Sequence, residues 1–381
     1  MVASTAAQGL RIALFSGNYN CVRDGANRAL NRLVAHLLRR GAAVRVYSPT
    51  TDSPAFPPAG ELVSVPSIGI PGRTEYRLAT RFPARIREDL DRFAPTHIHL
   101  SCPDLLGGRA LAYARARGIP AVASLHTRFE TYPAYYGLHF LVPPIVARQR
   151  YFYSRCDLVL APNPAMAEHL GAYGVPRERV RIWGRGVDHR LFAPSLRSEA
   201  WRASHGYGPA TPVLLFFGRL VLEKGLEMFA ATVELLRGRG TAVRPLIVGD
   251  GPARAWMEER LPDAVYTGHL DGEALGRAVA SADILVNPSV TEAFGNVNLE
   301  AMAAGVAVVS ADVGSARALI EHGRTGLLVP PDDPAAYAAA VAGLMEDPKK
   351  RVEIGRAAAE ASLAYNWPDI LDQVIAAYRA A

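Results

Sequence analysis

Cysteine is scarce in this sequence, and its distribution excludes two common kinds of stabilising site. The 381 residues include three cysteines, Cys21, Cys102 and Cys156, which lie far apart in the chain. Because their number is odd and their spacing matches no metal-ligand pattern, we expect neither a disulfide framework nor a structural metal. This usage is typical of a reducing compartment, so the sequence favours a cytoplasmic protein.

Long apolar runs are also missing from the chain. No stretch approaches the ~18 consecutive apolar residues of a transmembrane helix. The opening residues MVASTAAQGLRIALF lack a basic segment followed by a long apolar one, so they do not resemble a secretory signal. We therefore expect no membrane span, and we expect any membrane contact to be peripheral, on the inner face of the cell membrane.

Lysine is rare, and the positive charge of the chain comes almost entirely from arginine. Residues 1–155 contain 20 arginines, no lysine and nine acidic residues, for a net charge of +11, whereas the remaining residues carry 22 basic and 27 acidic side chains, for −5. A basic first half favours contact with an anionic surface or substrate. A general preference for arginine over lysine explains the same numbers, and composition alone leaves both explanations open.

The length of the chain and the order of its apolar segments predict two α/β domains. Leu10–Phe15 has the pattern of a buried strand, a helix opens at Asp24–Asn27, and Val44–Tyr47 forms the next strand. The loop after the first strand is not G-x-G-x-x-G, so no dinucleotide cofactor is indicated. The polar, breaker-rich stretch Pro194–Pro212 predicts a linker around residues 188–210.

Residues 287–305, NPSVTEAFGNVNLEAMAAG, predict a ligand site. They follow the buried-strand pattern of Ala282–Val286 and enter a helix near Gly295, and ligands of α/β folds bind at this end of a strand. The unpaired N–H groups from Phe294 to Val297 and the helix dipole favour a phosphate. Glu300 lies ~6 Å further along the helix, about the distance from a pyrophosphate to its ribose, whose hydroxyls a carboxylate can bind.

The same stretch resembles the signature of a known enzyme family. Glu292 and Glu300, within TEAFGNVNLEAMAAGVAVV, are similar to the Glu-x7-Glu pair of the retaining glycosyltransferases of family 4. The resemblance implies the α/β GT-B fold, in which two Rossmann-like domains face each other across a cleft. It implies an acceptor-binding domain of residues 1–190, onto which a C-terminal helix of residues 366–381 packs, and a nucleotide-sugar-binding domain of residues 191–365.

The resemblance also implies roles for individual residues. Arg219 and Lys224, which follow a strand and a glycine, are similar to the paired cations that grip the diphosphate, and a leaving diphosphate needs such charge. Glu292 is expected to bind the sugar hydroxyls and Glu300 the ribose, while His126 is expected to donate a hydrogen bond to a sugar hydroxyl. The other donor-binding residues expected are Gly218, Gly251, Phe294, Gly295, Asn296 and Val297.

The loop after the first strand matches the family only in part. Gly17, Asp24 and Gly25 are the candidates for contact with the acceptor or the donor phosphates. The paired glycines of the family are absent here, and Asp24-Gly25 stands in their place.

The implied activity is transfer of a hexose, with mannose favoured, from a nucleoside diphosphate sugar to a hydroxyl of a glycolipid or lipid-linked acceptor. Retention of configuration, no metal and no cofactor besides the donor substrate are expected. The alternatives are a UDP-sugar donor (glucose, glucuronate or sulfoquinovose) and a binder of nucleotide sugars that has no transferase activity. Nucleic-acid binding is not expected, because the cations belong to no recognised motif.

Two further segments allow a functional and a structural interpretation. Arg73, Arg77, Arg81 and Arg85 recur every fourth residue, which predicts a basic amphipathic helix, kinked or broken at Pro83, that either lies on an anionic membrane or is simply solvated. Asp89 and Asp91 have the form of a metal-binding pair, but a helix directs them to different faces, so we interpret them as surface residues. His97 and His99 share one face of a predicted strand and are interpreted as structural.

Overall fold

The computed structural model describes residues 6–22, 24–70, 73–209 and 211–381, without the side chains of residues 73–75. The chain divides into two compact units. The first comprises the described part of Met1–Ala134 together with Leu138–Arg185 and Pro368–Ala381, and the second comprises Tyr135–Gly137 and Gly186–Trp367. Each unit is an α/β structure built on its own parallel sheet.

The first unit alternates strands and helices. Its strands are β1 (Arg11–Phe15), β2 (Ala43–Ser48), β3 (Glu61–Ser64), β4 (Ser67–Ile70), β5 (Arg73–Ala79), β6 (His97–Leu100), β7 (Ala121–Ser124), β8 (Leu158–Ala161) and β9 (Val180–Ile182). Its helices are α1 (Gly25–Arg39), α2 (Ala84–Phe93), α3 (Leu105–Arg117), α4 (Tyr132–Tyr135), α5 (Val142–Tyr153) and α6 (Pro164–Ala172), although the last residue of α4 belongs to the second unit.

The main sheet of this unit determines where its loops gather. Its order is β3-β2-β1-β6-β7-β8-β9, and every pair is parallel. The central strands are buried on both faces, as expected for a sheet covered by helices, and Ile12, Ala13 and Leu14 are fully buried. Because β1, β6 and β7 are neighbours, the loops that follow them meet at one edge of the sheet.

The segment of regularly spaced arginines is not a continuous helix. Arg73–Ala79 is strand β5, which forms an antiparallel hairpin with β4, and α2 begins only at Ala84, after Pro83. The prediction of a helix that begins at Arg73 is therefore wrong for residues Arg73–Ala79. A spacing of four residues fits the two-residue period of a strand as well as the 3.6-residue period of a helix, so the arginines alone do not distinguish them.

Helix α2 directs its two aspartates to different partners, as its periodicity predicts. Asp89 pairs with Arg45 at 3.0 Å and accepts a hydrogen bond from the Tyr47 hydroxyl at 2.9 Å. Asp91 instead accepts hydrogen bonds from the Tyr113 hydroxyl at 2.6 Å and from the Arg117 guanidinium at 3.0 Å. Each carboxylate therefore has a structural role of its own.

The second unit contains a six-stranded parallel sheet in the described residues, in the order β12-β11-β10-β13-β14-β15. Its strands are β10 (Leu214–Phe217), β11 (Leu246–Val248), β12 (Val265–Gly268), β13 (Ile284–Asn287), β14 (Ala307–Ala311) and β15 (Leu327–Val329). Its helices are α7 (Glu199–Ser204), α8 (Leu226–Gly238), α9 (Arg254–Arg260), α10 (Gly272–Ala280), α11 (Asn296–Ala303), α12 (Gly314–Arg317), α13 (Pro334–Glu346) and α14 (Pro348–Ser362).

Side-chain alternation along the central strands builds a core on each face of this sheet. Leu215 and Leu285 belong to one apolar cluster. Leu214, Phe216 and Ile284 belong to the other. Burial on both faces explains why these strands are continuous apolar runs in the sequence.

The segment predicted as a linker is part of the second unit. Residues 188–210 include α7, and Trp201 packs against one of the two apolar clusters. Arg202 is buried, pairs with Asp283 at 2.9 Å and donates to the Thr211 carbonyl at 2.7 Å. The prediction of a linker at 188–210 is therefore wrong, because polar residues of this segment are satisfied by partners distant in sequence.

The last helix, α15 (Trp367–Arg379), belongs to the first unit from Pro368 onward. Asp372 contacts His36 at 2.6 Å and also pairs with Arg40. Arg379 donates to the carbonyl of Ala6 at 2.7 Å, and Tyr378 is buried against β6. Within the described ranges, no helix combines the length and the apolarity that crossing a bilayer requires.

Candidate active site

The strand–loop–helix unit predicted around Gly295 is present. Strand β13 is fully buried, and α11 begins at Asn296 with Gly295 as its N-cap. Gly295 has φ +91°, a left-handed conformation that a residue with a side chain rarely adopts. The first hydrogen bonds of the helix run from the N–H groups of Asn298 and Leu299 to the Gly295 carbonyl. The N–H groups from Phe294 to Val297 therefore precede the helical ladder, where an anion can accept from them.

A buried polar network fixes the orientation of α11, and sequence reasoning missed it. Asn298 is 1% exposed, accepts a hydrogen bond from the Asn287 side chain at 2.8 Å and donates to the Ser310 hydroxyl at 3.0 Å. These contacts join the helix to β13 and β14. The sequence shows an asparagine between Val297 and Leu299, which does not reveal its partners.

The loop after β10 lies against the first turn of α11. A Cβ atom built on Gly218 would lie 3.9 Å from Val297 Cγ2. The next loop along the sheet packs closely on this one, since a Cβ atom on Gly251 would lie 2.3 Å from the Leu220 carbonyl oxygen. The Leu220 N–H donates to the Asp250 carbonyl at 2.9 Å. Gly251 thus allows two loops at the carboxyl edge of the sheet to pack together.

Lys224 and Glu292 form an ion pair that is mostly shielded from solvent, with side chains 29% and 20% exposed. The backbone around them is joined as well. The Glu223 carbonyl accepts hydrogen bonds from the hydroxyls of Thr291, at 3.1 Å, and Ser289, at 3.4 Å. A predicted diphosphate-binding cation and a predicted sugar-binding carboxylate are therefore direct neighbours.

Arg219 and Glu300 are both partly buried. Arg219 immediately follows Gly218, in the loop that contacts Val297, and Glu300 lies in α11 beyond its first turn. Both residues are therefore at the same edge of the second sheet as Lys224 and Glu292. Neither side chain is fully exposed to bulk solvent, as the predicted ribose and diphosphate roles require.

The candidates in the loop after β1 have structural roles of their own. Asp24 is the N-cap of α1 and accepts a hydrogen bond from the Asn27 N–H at 2.7 Å, and Gly25 is the first residue of that helix. Gly17 lies beside Asp104, because a Cβ atom built on it would be 2.7 Å from Asp104 Oδ2. Contact of Gly17, Asp24 and Gly25 with phosphate or acceptor stays a prediction.

Sequence reasoning missed Asp104, which caps α3 by accepting from the Gly107 N–H at 2.7 Å. Burial raises the pKa of this carboxyl, against the opposing effect of the Gly107 N–H. Asp104 lies beside Gly17, so its carboxylate is at the edge of the sheet where the loops after β1 and β6 meet. The sequence Cys-Pro-Asp-Leu gave no signal beyond that of a helix cap.

His126 follows β7 and has both ring nitrogens engaged within the first unit. Nδ1 lies 2.6 Å from the Arg185 guanidinium and Nε2 lies 2.7 Å from the Ser124 hydroxyl. The ring meets Trp183 edge-on at 5.2 Å. Burial, and then the charge of Arg185, hold the pKa of His126 well below its usual value. Donation to a sugar hydroxyl would require one of these bonds to break, and stays a prediction.

The predicted residues of each unit thus gather at the carboxyl edge of that unit's own sheet. In the second unit these residues follow β10, β11 and β13, three neighbouring strands. Across the described part of the chain, no group of three or more His, Cys, Asp or Glu side chains is arranged to hold a metal ion.

Solved structures identify the class of fold. The chain superposes on sucrose-phosphate synthase from Thermosynechococcus elongatus with a TM-score of 0.80 at 22% identity, covering 97% of this chain and 98% of that one. With two Rossmann-like halves, this is the GT-B fold that the resemblance implied, and the expected fold class is confirmed.

Sequence comparisons then identify the family. Residues 23–191 match the model of Glycosyltransferase Family 4, and residues 211–347 match that of Glycosyl transferases group 1. The chain is 36% identical to the GDP-mannose-dependent alpha-mannosyltransferase of Mycolicibacterium smegmatis over 97% of both proteins. It is 32% identical to the sulfoquinovosyl transferase SQD2 of Arabidopsis thaliana over 94% of this chain and 71% of the relative. The protein belongs to glycosyltransferase family 4 and is a glycosyltransferase, as the Glu292–Glu300 stretch indicated.

Proposed function

We propose that this protein transfers a hexose, with mannose favoured, from a nucleoside diphosphate sugar to a hydroxyl of a glycolipid or lipid-linked acceptor. The observation that carries the proposal is the Lys224–Glu292 ion pair, in which Glu292 belongs to the loop that leads into the N-terminus of α11. GDP-mannose is the first candidate donor, because the similar Mycolicibacterium protein is named as GDP-mannose-dependent. The similarity to a sulfoquinovosyl transferase keeps a different donor sugar as the alternative.

The chemistry requires neutralisation of the diphosphate as it leaves. When the bond between the anomeric carbon and the phosphate oxygen breaks, negative charge develops on that oxygen. The N-terminal N–H groups of α11, together with Arg219 and Lys224, stabilise this charge, and preorganised donors of this kind contribute most where water is excluded. Two cations of the protein supply the charge that a metal ion provides in other transferases, so we propose that the reaction is metal-independent.

The carboxylates bind the rest of the donor. Glu292 accepts hydrogen bonds from sugar hydroxyls, and its pairing with Lys224 orients it before the donor arrives. Glu300 accepts from the two ribose hydroxyls, which lie one helical turn beyond the diphosphate.

We propose retention of configuration by attack on the same face from which the diphosphate departs. The acceptor oxygen bonds to the anomeric carbon while the carbon–phosphate-oxygen bond breaks, and the acceptor proton moves to the departing phosphate oxygen. No separate protein base is needed in this scheme. The configuration of the anomeric proton in the product, measured by NMR, tests it, and an inverted product would contradict it.

Contact with an anionic membrane surface is proposed for the β4-β5 hairpin. Ile68 is 56% exposed, and Ile70 and Leu78 are also exposed on this two-stranded ribbon. Arg81 follows the hairpin and is exposed, in a region with a large excess of basic residues. Exposed apolar side chains beside cations are the composition expected of a lipid-contacting surface.

A thermal-shift panel of GDP-, UDP- and ADP-sugars in the presence of EDTA tests the donor. Binding to the folded state raises the melting temperature, and we expect the largest rise with GDP-mannose. A rise with UDP-sugars alone would change the donor, whereas no rise with any nucleotide sugar would contradict the proposed function. Lys349→Ala, at an exposed lysine of the second unit, is the matched control for Lys224→Ala in the same panel.

A further inference from the structure

A continuous chain of side-chain hydrogen bonds runs through the first unit from Arg185 to Tyr378. The Arg185 guanidinium lies 2.6 Å from His126 Nδ1, and His126 Nε2 lies 2.7 Å from the Ser124 hydroxyl. The same hydroxyl lies 2.9 Å from His99 Nε2, and His99 Nδ1 contacts the Tyr378 hydroxyl. The chain thus joins the segment after β9, strands β7 and β6, and the last helix.

Arg185 fixes the direction of the hydrogen bonds at His126, and the placement of one hydroxyl proton fixes the rest. A guanidinium has only donors, so His126 Nδ1 must accept, and a neutral His126 then carries its proton on Nε2 and donates to Ser124. His126, Ser124, His99 and Tyr378 bring four protons to three hydrogen bonds, so one hydroxyl proton has no acceptor within the chain. We place it on Tyr378, at the end of the chain, so that Ser124 donates to His99 Nε2. The proton of His99 is therefore on Nδ1, and it is donated to the Tyr378 oxygen.

The surroundings hold the chain in this state. Arg185 is 4% exposed, donates to the carbonyls of Trp183 and Gly184, and lies over the Trp183 ring at 4.8 Å. Among the described residues, none of the carboxylates forms an ion pair with it. A buried cation without a counter-ion is unfavourable, so the lone pair of His126 is a necessary part of its solvation. A proton added to His126 would place a second cation directly against the first.

We propose that Arg185, Ser124, His99 and Tyr378 are positioning residues that hold His126 as a neutral imidazole, protonated on Nε2, with its ring edge against Trp183. Tyr378 gives the C-terminal helix a direct part in this arrangement, because it provides the acceptor at the far end. The charged and titratable groups that face His126 are Arg185 and His99. The proton positions do not depend on the proposed reaction, whereas any effect on sugar transfer rests on the proposed function.

Long-range ¹H–¹⁵N spectra of histidine-labelled protein read the proton positions directly. His126→Gln and His99→Gln assign the two signals. We expect His126 to show a bare Nδ1 and a protonated Nε2, unchanged between about pH 5 and 8, as burial beside a cation requires. His99 should show the opposite tautomer. A wild-type His126 that titrates in this range, or that carries its proton on Nδ1, would overturn the proposal.

Variants at the two ends of the chain separate positioning from general stability. Arg185→Met should give His126 a mixture of tautomers, and Arg185→Lys, which keeps a donor, should restore the wild-type signal. Tyr378→Phe, the milder change, should alter the tautomer of His99. Tyr337→Phe is the matched control, because Tyr337 is a fully buried tyrosine whose hydroxyl has no hydrogen-bond partner among the described residues. Unchanged histidine signals in folded Arg185→Met and Tyr378→Phe protein would contradict the chain.

Transfer assays on the same variants report on the reaction separately. We expect Tyr378→Phe to lower kcat/KM about tenfold, by analogy with the loss of residues that orient a metal-ligating histidine, while Tyr337→Phe leaves it unchanged. If the spectra change as expected and transfer does not, the positioning chain stands and the role of His126 in sugar binding falls. If no variant or wild-type protein transfers sugar, the proposed function fails while the spectra still decide this inference.

Discussion

Lys224 and Glu292 are paired across 68 residues of sequence, and their ion pair joins the loop that precedes α8 to the loop that precedes α11. In the proposed reaction this pair has two functions. The ammonium group moves to a bound diphosphate, and the carboxylate is then available to sugar hydroxyls. The proposal therefore links donor binding to the charge that develops as the diphosphate leaves.

Replacement of either cation should slow transfer strongly without unfolding the protein. Because each is proposed to stabilise the leaving diphosphate, Arg219→Ala and Lys224→Ala should each lower kcat by ~10²–10³, the usual effect of removing one preorganised donor. Steady-state kinetics with donor and acceptor measure this loss, and circular dichroism checks the fold. Lys349→Ala is the control, and normal turnover in the Lys224 variant would contradict the mechanism.

Glu300→Gln should weaken nucleotide binding. A neutral amide binds the ribose hydroxyls less strongly than a carboxylate, and loss of a charged hydrogen bond costs about 1.5–3 kcal/mol, or roughly ten- to hundredfold in Kd. Calorimetric titration with the nucleoside diphosphate measures the change. Glu227→Gln, at an exposed glutamate in the first turn of α8, should leave the affinity unaltered. Equal affinities for Glu300→Gln and wild-type protein would exclude the ribose role.

Asn298→Ala should destabilise the second unit. The substitution leaves the side chains of Asn287 and Ser310 buried without their partner, which costs about 1–3 kcal/mol. Denaturant unfolding should show a lower midpoint with an unchanged slope. A midpoint equal to that of the wild-type protein would mean that this network does not fix α11.

The ionisation of Glu130 should make the stability of the fold change with pH in the acid range. Burial alone would raise the pKa of this carboxyl, but contacts with His169, Gln149 and Arg128 hold it at about 2. A pKa below that of the unfolded chain stabilises the fold above about pH 4.5, and this stabilisation is lost as the pH falls toward 2. Wild-type protein should therefore be more stable than Glu130→Gln at pH 7, by about 3 kcal/mol, and lose that advantage near pH 2. A constant difference between the two proteins at both pH values would contradict this assignment.

Ile68→Asp should reduce binding to anionic liposomes. The side chain is 56% exposed on the β4-β5 hairpin, and a carboxylate there adds repulsion while it removes apolar contact. Flotation at low salt should show at least a severalfold loss relative to the wild-type protein. Val352→Asp, at a residue of the second unit that is 66% exposed, is the control. If wild-type protein does not float, a soluble acceptor replaces the lipid.

Local sequence pattern was sufficient where an element is defined by its own residues. The apolar run before Asn287 and the glycine at 295 predicted β13 and the start of α11, and Asp24 predicted the start of α1. The same kind of pattern failed at Arg73–Ala79, because a four-residue spacing fits both a strand and a helix.

The remaining features depend on partners distant in sequence, which no local pattern specifies. Arg202 makes residues 188–210 part of the second unit through a contact 81 residues away. The predicted place of His126 just after a strand is confirmed by β7, but its two hydrogen bonds, one of them to Arg185 59 residues later, became visible only in the fold. The burial of Asn298 between β13 and β14 likewise depends on partners that the local sequence pattern does not specify.

The most direct test of the account is a crystal structure of the protein with a nucleoside diphosphate bound. We expect the terminal phosphate to accept hydrogen bonds from the N–H groups of Asn296 and Val297, with Arg219 and Lys224 in contact with its oxygens. A diphosphate bound elsewhere, with Lys224 still paired only to Glu292, would contradict the site described for this enzyme.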